Sequence, residues 1–204
     1  MFHKVIFKGL LPYLAVWAGL FLFHNAWAAL LGLHIAFVLL IIVSKPIASP
    51  KTLFKSGHLK WVLLNILLGG LSGLAVYFLR PFVGMSADFK SQIAQLGLTA
   101  STLPSFIAYF SLVNPLLEEY FWRVSLENDT KGFYVGDLLY AGYHAIILVQ
   151  RVSLPVTILV VACLTFIGWF WRQVKREDGG TLAPVLGHMA ADFSILMSVY
   201  LIVK

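Results

Sequence analysis

Charge and cysteine are the two features that this sequence has little of. Only 12% of its 204 residues are charged and 60% are apolar, whereas soluble domains average about 25% charged and about 45–50% apolar residues. Such a composition excludes a soluble globular domain, a disordered chain and a nucleic-acid-binding domain, because each needs far more polar or charged surface. The one cysteine, Cys163, cannot form an intrachain disulfide. The class that remains is a polytopic membrane protein.

Long apolar runs recur along the whole chain. A transmembrane helix needs about 20 mainly apolar residues, and the sequence contains seven runs of roughly this length, the first two of them divided only by His24 and Asn25. We expect one transmembrane domain over residues 1–204, with three spans and an outer connection in 1–104 and the core helices in 105–204. The sequence predicts an all-α membrane bundle of about seven spans: Val5–Phe23, Trp27–Val43, Trp61–Leu79, Ser105–Leu126, Val135–Gln150, Val156–Trp171 and Ala183–Val203.

The basic residues indicate how these helices are oriented. With the N-terminus inside, ten Lys and Arg residues lie on the cytoplasmic side and four lie outside, in agreement with the positive-inside rule. Seven spans then place the C-terminus outside. An alternative interpretation takes residues 1–26 as a cleavable signal peptide, since Lys4 and Lys8 precede an apolar stretch. We expect an integral multi-pass protein, located in the plasma membrane if the source is a prokaryote.

Acidic side chains within the predicted spans are confined to the second half of the chain. The first three spans contain no Asp, Glu or Arg, and their one Lys, Lys8, lies near the start of the first span. A charge at the bilayer centre costs about 2.5–3.5 kcal/mol on insertion scales, so intramembrane charges are candidates for function. Counted from the cytoplasmic ends of their spans, Glu118, His144 and His188 lie roughly 8–14 Å deep at about 1.5 Å per residue. The fourth, fifth and seventh spans are therefore predicted to hold the chemistry at one depth.

Spacing within each helix suggests which of these groups are paired. Glu119 and Arg123 are four residues apart with the acid first, which is the favourable order for an ion pair. Glu118 is rotated by about 100° from Glu119 and has no obvious partner in its own helix. We therefore expect Glu118 to be the reactive carboxylate. The same spacing joins two further pairs: Tyr140 with His144, and His188 with Asp192.

Other residues of the spans have simpler expected roles. Pro115 removes a backbone hydrogen bond, so we expect a kink that either widens a water-accessible pocket or shapes helix packing. His34 lies in mid-span without an ionisable neighbour in sequence, and a hydrogen bond to a neighbouring helix is its expected role. Asp137 opens the fifth helix and is expected to cap its N-terminus. Gly69 and Gly73, four residues apart, are expected to let helices pack closely.

Three short motifs follow one another in the last four spans. Residues 118–123 read EExxxR, residues 140–144 read aromatic-xxx-His, and residues 188–192 read HxxxD. In this order they resemble the motifs of the CPBP family, the CAAX proteases and bacteriocin-processing enzymes also called Abi proteins, which are related to the type II CAAX prenyl endopeptidase. The resemblance covers roughly residues 105–203. The family often has Asn where this chain has Asp192, and an ionised Asp cannot donate a hydrogen bond to an oxyanion.

The resemblance implies a glutamate-type intramembrane endopeptidase. Glu118 and His144 would activate a water for attack on a peptide carbonyl, and His188 with Asp192 would stabilise the oxyanion. The expected partners are the lipid bilayer and a membrane-associated protein or peptide substrate, without nucleic acid and without a cofactor. Structural support of the site falls to three further residues: Glu119, Arg123 and Tyr140.

The residues alone leave several alternatives open. Glu118, His144 and His188 are also a common zinc ligand set that leaves a position for water, which would make the chain a zinc-dependent protease. A small transporter or proton-conducting protein would use carboxylates and histidines as a relay, although the chain lacks the inverted repeat of many transporters. An immunity or scaffold protein would keep the fold without catalysis. In the simplest alternative, the polar cluster only joins helices.

Overall fold

The regular elements of the protein are all helices. The computed structural model describes residues 2–44, 46, 49–126 and 129–204, with side chains described from residue 6 onward, and no strand occurs within these ranges. The all-α prediction is confirmed. The α-helices are α1 Phe2–Trp17, α2 Ala26–Ser44, α3 Leu59–Leu79, α4 Phe89–Gln95, α5 Leu103–Glu119, α6 Val135–Gly142, α7 His144–Leu148, α8 Leu154–Asp178 and α9 Leu182–Val203.

The helices match the apolar runs of the sequence. Among the described residues, four helices are long and apolar enough to cross a membrane, namely α2, α3, α8 and α9. Two shorter apolar helical segments, Ile6–Leu22 and Val135–Leu148, coincide with the first and fifth predicted spans. The architecture is that of a polytopic helical membrane bundle. The count of seven spans and the inward N-terminus stay predictions.

Two of the helices continue into a π-helical turn. Such a turn extends α1 over Ala18–Leu22 and α5 over Tyr120–Ser125. In α5 the wide turn directly follows the two glutamates and lies one turn after Pro115, which has no N–H for an intrahelical bond. Turns of this kind inside α-helices occur frequently at functional sites. The glutamate pair thus lies between two irregularities of the α5 backbone.

The fifth predicted span, Val135–Gln150, is helical over Val135–Leu148, but its helical hydrogen bonding is interrupted. The helix is broken at Tyr143, where α6 ends and α7 begins. The reason lies in α1, where the Tyr13 hydroxyl donates a hydrogen bond of 2.9 Å to the Leu139 carbonyl. That carbonyl is the acceptor that the Tyr143 N–H would use in an uninterrupted helix. The same Tyr13 hydroxyl lies 2.3 Å from where a Cβ on Gly142 would be, so α1 packs directly against the break.

The N-terminus of α6 is capped as expected. Asp137 accepts a hydrogen bond of 2.9 Å from the Tyr134 N–H, which satisfies a backbone donor that has no partner within the helix. Its carboxylate also forms a buried ion pair of 2.7 Å with Arg172 of α8. Arg172 in turn donates to the Gly132 carbonyl at 2.7 Å. The loop before α6 is thereby tied to the C-terminal part of α8.

Helices α3 and α9 pack closely against each other at two glycines of α3. A Cβ on Gly69 would lie 2.2 Å from the Gly187 carbonyl oxygen, and one on Gly73 would lie 2.2 Å from the Ser194 carbonyl oxygen. Hydroxyl groups of α9 donate across the contact, from Ser194 to the Gly69 carbonyl at 2.8 Å and from Ser198 to the Gly73 carbonyl at 2.7 Å. The close packing expected at the two glycines is therefore present. It fixes the helix that carries the HxxxD motif against α3.

Candidate active site

The three sequence motifs come together in one buried cluster. Glu118 and Glu119 are 1% and 0% exposed on α5, and His188 is 4% exposed on α9. Tyr140 of α6 is also buried, whereas His144, the first residue of α7, is partly buried. Helices α5, α6, α7 and α9, all in the second half of the chain, thus contribute polar side chains to the same cluster.

Glu118 has one carboxylate oxygen in hydrogen bonds and one without a partner. Its Oε1 accepts from the Tyr143 hydroxyl at 2.5 Å and from the Asn114 amide Nδ2 at 2.9 Å. Its Oε2 is buried and has no hydrogen-bond partner among the residues that the structure describes. The expectation that Glu118 has no partner in its own helix is wrong, because Asn114 lies four residues earlier on the same face. Two donors fix the carboxylate plane and leave Oε2 available for a further hydrogen bond.

His144 reaches the cluster from the break between α6 and α7. Its Nδ1 lies 3.2 Å from the carbonyl oxygens of Tyr140 and Ala141. These contacts assign the proton to Nδ1 and make Nε2 the acceptor. The imidazole stacks on the Tyr143 ring with the centroids 4.1 Å apart. Within the described chain no direct hydrogen bond joins His144 to Glu118, and Tyr143 is the residue that contacts both.

His188 has a carboxylate near each ring nitrogen. Its Nδ1 lies 3.0 Å from Glu119 Oε1, and its Nε2 lies 3.5 Å from Asp192 Oδ1. The sequence spacing predicts only the second contact, yet the first is shorter, so Glu119 is the stronger orienting group. The Trp171 ring packs on the imidazole with the centroids 5.0 Å apart. Nε2 therefore faces the more accessible carboxylate, since the Asp192 side chain is 14% exposed and that of Glu119 is 0% exposed.

Glu119, Arg123 and Tyr140 form a single packed unit next to His188. The expected ion pair is present, with Arg123 Nε 3.3 Å from Glu119 Oε2 and both side chains buried. The guanidinium lies over the Tyr140 ring at 4.3 Å from its centroid. A cation in this position is attracted by the face of the ring. Arg123 thus compensates the buried charge of the same carboxylate that holds His188.

Asn114 connects the two carboxylates that face the centre of the cluster. Its Nδ2 lies 2.9 Å from Glu118 Oε1 and 3.3 Å from Asp192 Oδ2. Neither Asn114 nor Tyr143 was expected as a site residue. The four-residue spacing from Asn114 to Glu118 was a usable signal for the first. For Tyr143 no signal existed, because the helix break sets the direction of its side chain.

The zinc alternative requires Glu118, His144 and His188 to act as ligands together. Within the described ranges, no group of three or more His, Cys, Asp or Glu side chains is arranged to hold a metal ion. Both ring nitrogens of His188 already face carboxylates, which suits a hydrogen-bonded acid–base site. The expectation that the protein uses no metal stays a prediction, with zinc as the alternative.

Comparison with known proteins identifies the motif-bearing half of the chain. Residues 100–194 match the family model described as type II CAAX prenyl endopeptidase Rce1-like. Over these residues the chain is similar to the type II CAAX prenyl endopeptidases. The match covers all three motifs together with Asn114 and Tyr143, and it favours a protease over the transporter and scaffold alternatives. No curated protein and no solved structure matches the chain significantly.

Proposed function

We propose that this protein is a protease that cleaves a peptide bond in or near a membrane-associated segment by activating water at Glu118. The observation that carries the proposal is Glu118 Oε2, a buried carboxylate oxygen without a partner among the described residues. Because Oε1 is held by Tyr143 and Asn114, Oε2 has a fixed direction. A positioned carboxylate of this kind can take a proton from water as general base.

His144 is the proposed second contact of the attacking water. The tautomer assigned by its backbone contacts makes Nε2 an acceptor, so it can orient the hydrogen that Glu118 does not remove. As the water oxygen bonds to the substrate carbonyl carbon, one proton passes to Glu118 and the carbonyl becomes an oxyanion. When the tetrahedral intermediate collapses, the C–N bond breaks and the protonated Glu118 returns that proton to the leaving amine.

His188 is the proposed donor to the oxyanion. Its Nε2 contact with Asp192, at 3.5 Å, is longer than an ordinary hydrogen bond of about 2.7–3.2 Å. With His188 protonated on both ring nitrogens, an oxyanion can therefore accept the Nε2 hydrogen while Nδ1 still donates to Glu119. A fixed donor at a developing oxyanion contributes about 2.7–4 kcal/mol to transition-state stabilisation. Asp192, which can only accept when ionised, acts as a positioning residue for His188.

We propose that an apolar cavity, open to the surroundings of the protein, receives the membrane-embedded part of the substrate. It has a volume of about 220 Å³ and lies between α5 and α9, the two helices that carry Glu118 and His188. The description of the matched family makes a prenylated CAAX peptide the first substrate to test. The cavity is lined by Pro104, Ile107, Ala108, Phe193, Met197 and Tyr200.

The substitution Glu118→Gln tests the proposal. Glutamine keeps an oxygen for Tyr143 and Asn114 but cannot act as a base, so we expect cleavage to slow by roughly 10²–10⁴-fold with unchanged thermal unfolding. The assay uses purified protein in lipid vesicles with a farnesylated CAAX peptide. The matched control is Glu177→Gln on α8, since Glu177 is exposed and remote from the cluster. A wild-type rate in Glu118→Gln refutes the mechanism.

Two further measurements separate substrate and metal questions from the role of Glu118. Mass spectrometry of membranes from cells with wild-type protein or Glu118→Ala identifies precursors that accumulate only in the variant. Metal analysis of the purified protein, combined with cleavage in the presence of a chelator, tests the zinc alternative. Loss of cleavage on chelation that zinc restores would favour the metal mechanism over the one proposed.

A further inference from the structure

A residue of α2 contacts the cluster from outside the family match. His34 is 5% exposed, and its Nε2 lies 3.3 Å from Asn114 Oδ1. Its Nδ1 lies 3.2 Å from the Tyr109 hydroxyl. The hydrogen bond to a neighbouring helix that was expected of His34 is therefore present. Its acceptor is the same Asn114 amide whose other end binds Glu118 and Asp192.

The direction of each hydrogen bond follows from the chemistry of the groups. Asn114 Oδ1 can only accept, so His34 Nε2 carries the proton in this contact. His34 Nδ1 is then an acceptor, and the Tyr109 hydroxyl is its donor. Asn114 Nδ2 has two hydrogens, and two carboxylate oxygens lie within 2.9 and 3.3 Å of it. The donors therefore run in one direction, from Tyr109 through His34 and Asn114 to the carboxylates.

This arrangement matters because an amide side chain can rotate by half a turn. A rotated Asn114 would place Oδ1 against the carboxylate oxygens of Glu118 and Asp192, where acceptor faces acceptor. The Nε2–H of His34 stabilises only the orientation in which both amide hydrogens reach the carboxylates. Without that donor, Asn114 loses one of the contacts that hold it, and the Glu118 carboxylate plane is less firmly fixed.

We propose that His34 is a positioning residue of the active site, which acts through Asn114 to hold Glu118 with Oε2 in the direction of the attacking water. The proposal rests on the role proposed above for Glu118. Because His34 lies outside residues 100–194, it makes the N-terminal helices a functional part of the site. A purely structural role for His34 would affect stability without acting through Asn114.

The test compares two His34 variants in two backgrounds. His34→Phe fills the space but has no donor, and His34→Gln keeps an N–H near the position of Nε2. We expect His34→Phe to lower kcat roughly 3- to 10-fold, as for the loss of one hydrogen bond, with little change in KM. His34→Gln should recover most of this loss. In an Asn114→Leu background, His34→Phe should cause no further decrease, because residues that act through one another are not additive.

Controls separate positioning from packing and from the proposed function itself. The ring of Phe37 in α2 is buried, with its centroid 4.8 Å from that of the Phe121 ring. Phe37→Leu should lower stability and leave kcat near wild type. If His34→Phe does not fold, Tyr109→Phe removes the first donor and should give a smaller kcat loss. An unchanged kcat in His34→Phe, or an equal loss with and without Asn114, overturns the proposal. If the His34 result is negative and Glu118→Gln still inactivates the protein, the proposed function stands and only the role of His34 fails.

Discussion

Two adjacent glycines of α3 offer a matched test of how the fold positions the site. Gly69 faces α9, and a Cβ added there would lie 2.2 Å from the Gly187 carbonyl oxygen and 2.9 Å from the Ala191 nitrogen. At Gly70 an added Cβ would meet nothing within 4 Å. The substitutions Gly69→Ala and Gly70→Ala therefore add the same methyl group to the same helix, one at the contact with α9 and one away from it.

The size of the effect follows from the distances. Ordinary contacts of a Cβ begin at 3.4 Å, so Gly69→Ala must separate two backbones by the 1.2 Å between 3.4 and 2.2 Å. Overpacking of this kind costs about 1–3 kcal/mol, and loss of the Ser194 hydrogen bond to Gly69 adds about 0.6 kcal/mol. Gly70→Ala should be neutral or stabilising by up to about 1 kcal/mol, since alanine favours the helix.

The same displacement should also lower the rate of cleavage. His188 directly follows Gly187, and its bond to Glu119 is 3.0 Å long, so a shift of this size moves the imidazole out of hydrogen-bond range. A misplacement of about 1 Å can cost roughly 10²-fold in rate, which is the loss we expect for Gly69→Ala.

Thermal unfolding in detergent and cleavage of the farnesylated peptide in vesicles measure the two effects. Gly69→Ala should lower both the unfolding temperature and kcat, and Gly70→Ala should lower neither. If the two variants behave alike in both assays, the α3–α9 contact does not position His188 and the reasoning is refuted.

Two more substitutions test single contacts of the site. Tyr143→Phe removes the donor to Glu118 but keeps the ring against His144, so kcat should fall roughly 10- to 100-fold, as for a hydrogen bond to a charged group; a wild-type kcat would contradict the role of this hydroxyl. Arg123→Lys keeps the charge but loses the planar contact with Tyr140, and denaturant unfolding should show a loss of about 1–2 kcal/mol. Arg123→Met, which leaves a buried carboxylate uncompensated, should cost about 3–5 kcal/mol, and the opposite ranking would contradict the ion pair.

Contacts within one helix were predictable from the sequence. The pairs Glu119 with Arg123 and His188 with Asp192 follow from the four-residue period, which places both members on one face. Because the three motifs lie in different apolar runs, the sequence also predicted that they lie on separate helices. Apolar runs likewise gave the approximate bounds of the long helices, because charges and helix-breaking residues separate them in sequence.

Contacts between helices were not predictable, because they depend on which faces meet. Nothing in the spacing of the sequence relates Glu119 to His188, or Tyr143 to Glu118. The break of the fifth span has the same origin, since it depends on the Tyr13 hydroxyl 126 residues away from Leu139. A hydrophobicity pattern records how long a helix can be, whereas an interrupting side chain from another helix leaves no trace in that pattern.

The seam between α3 and α9 also constrains the order in which the protein can assemble during synthesis. Its hydrogen bonds join residues 125 apart in the chain, such as Ser198 and Gly73. During translation, α3 must therefore remain in the bilayer with its glycine face uncovered until α9 has been made. A chain arrested before α9 would expose that face to other membrane proteins.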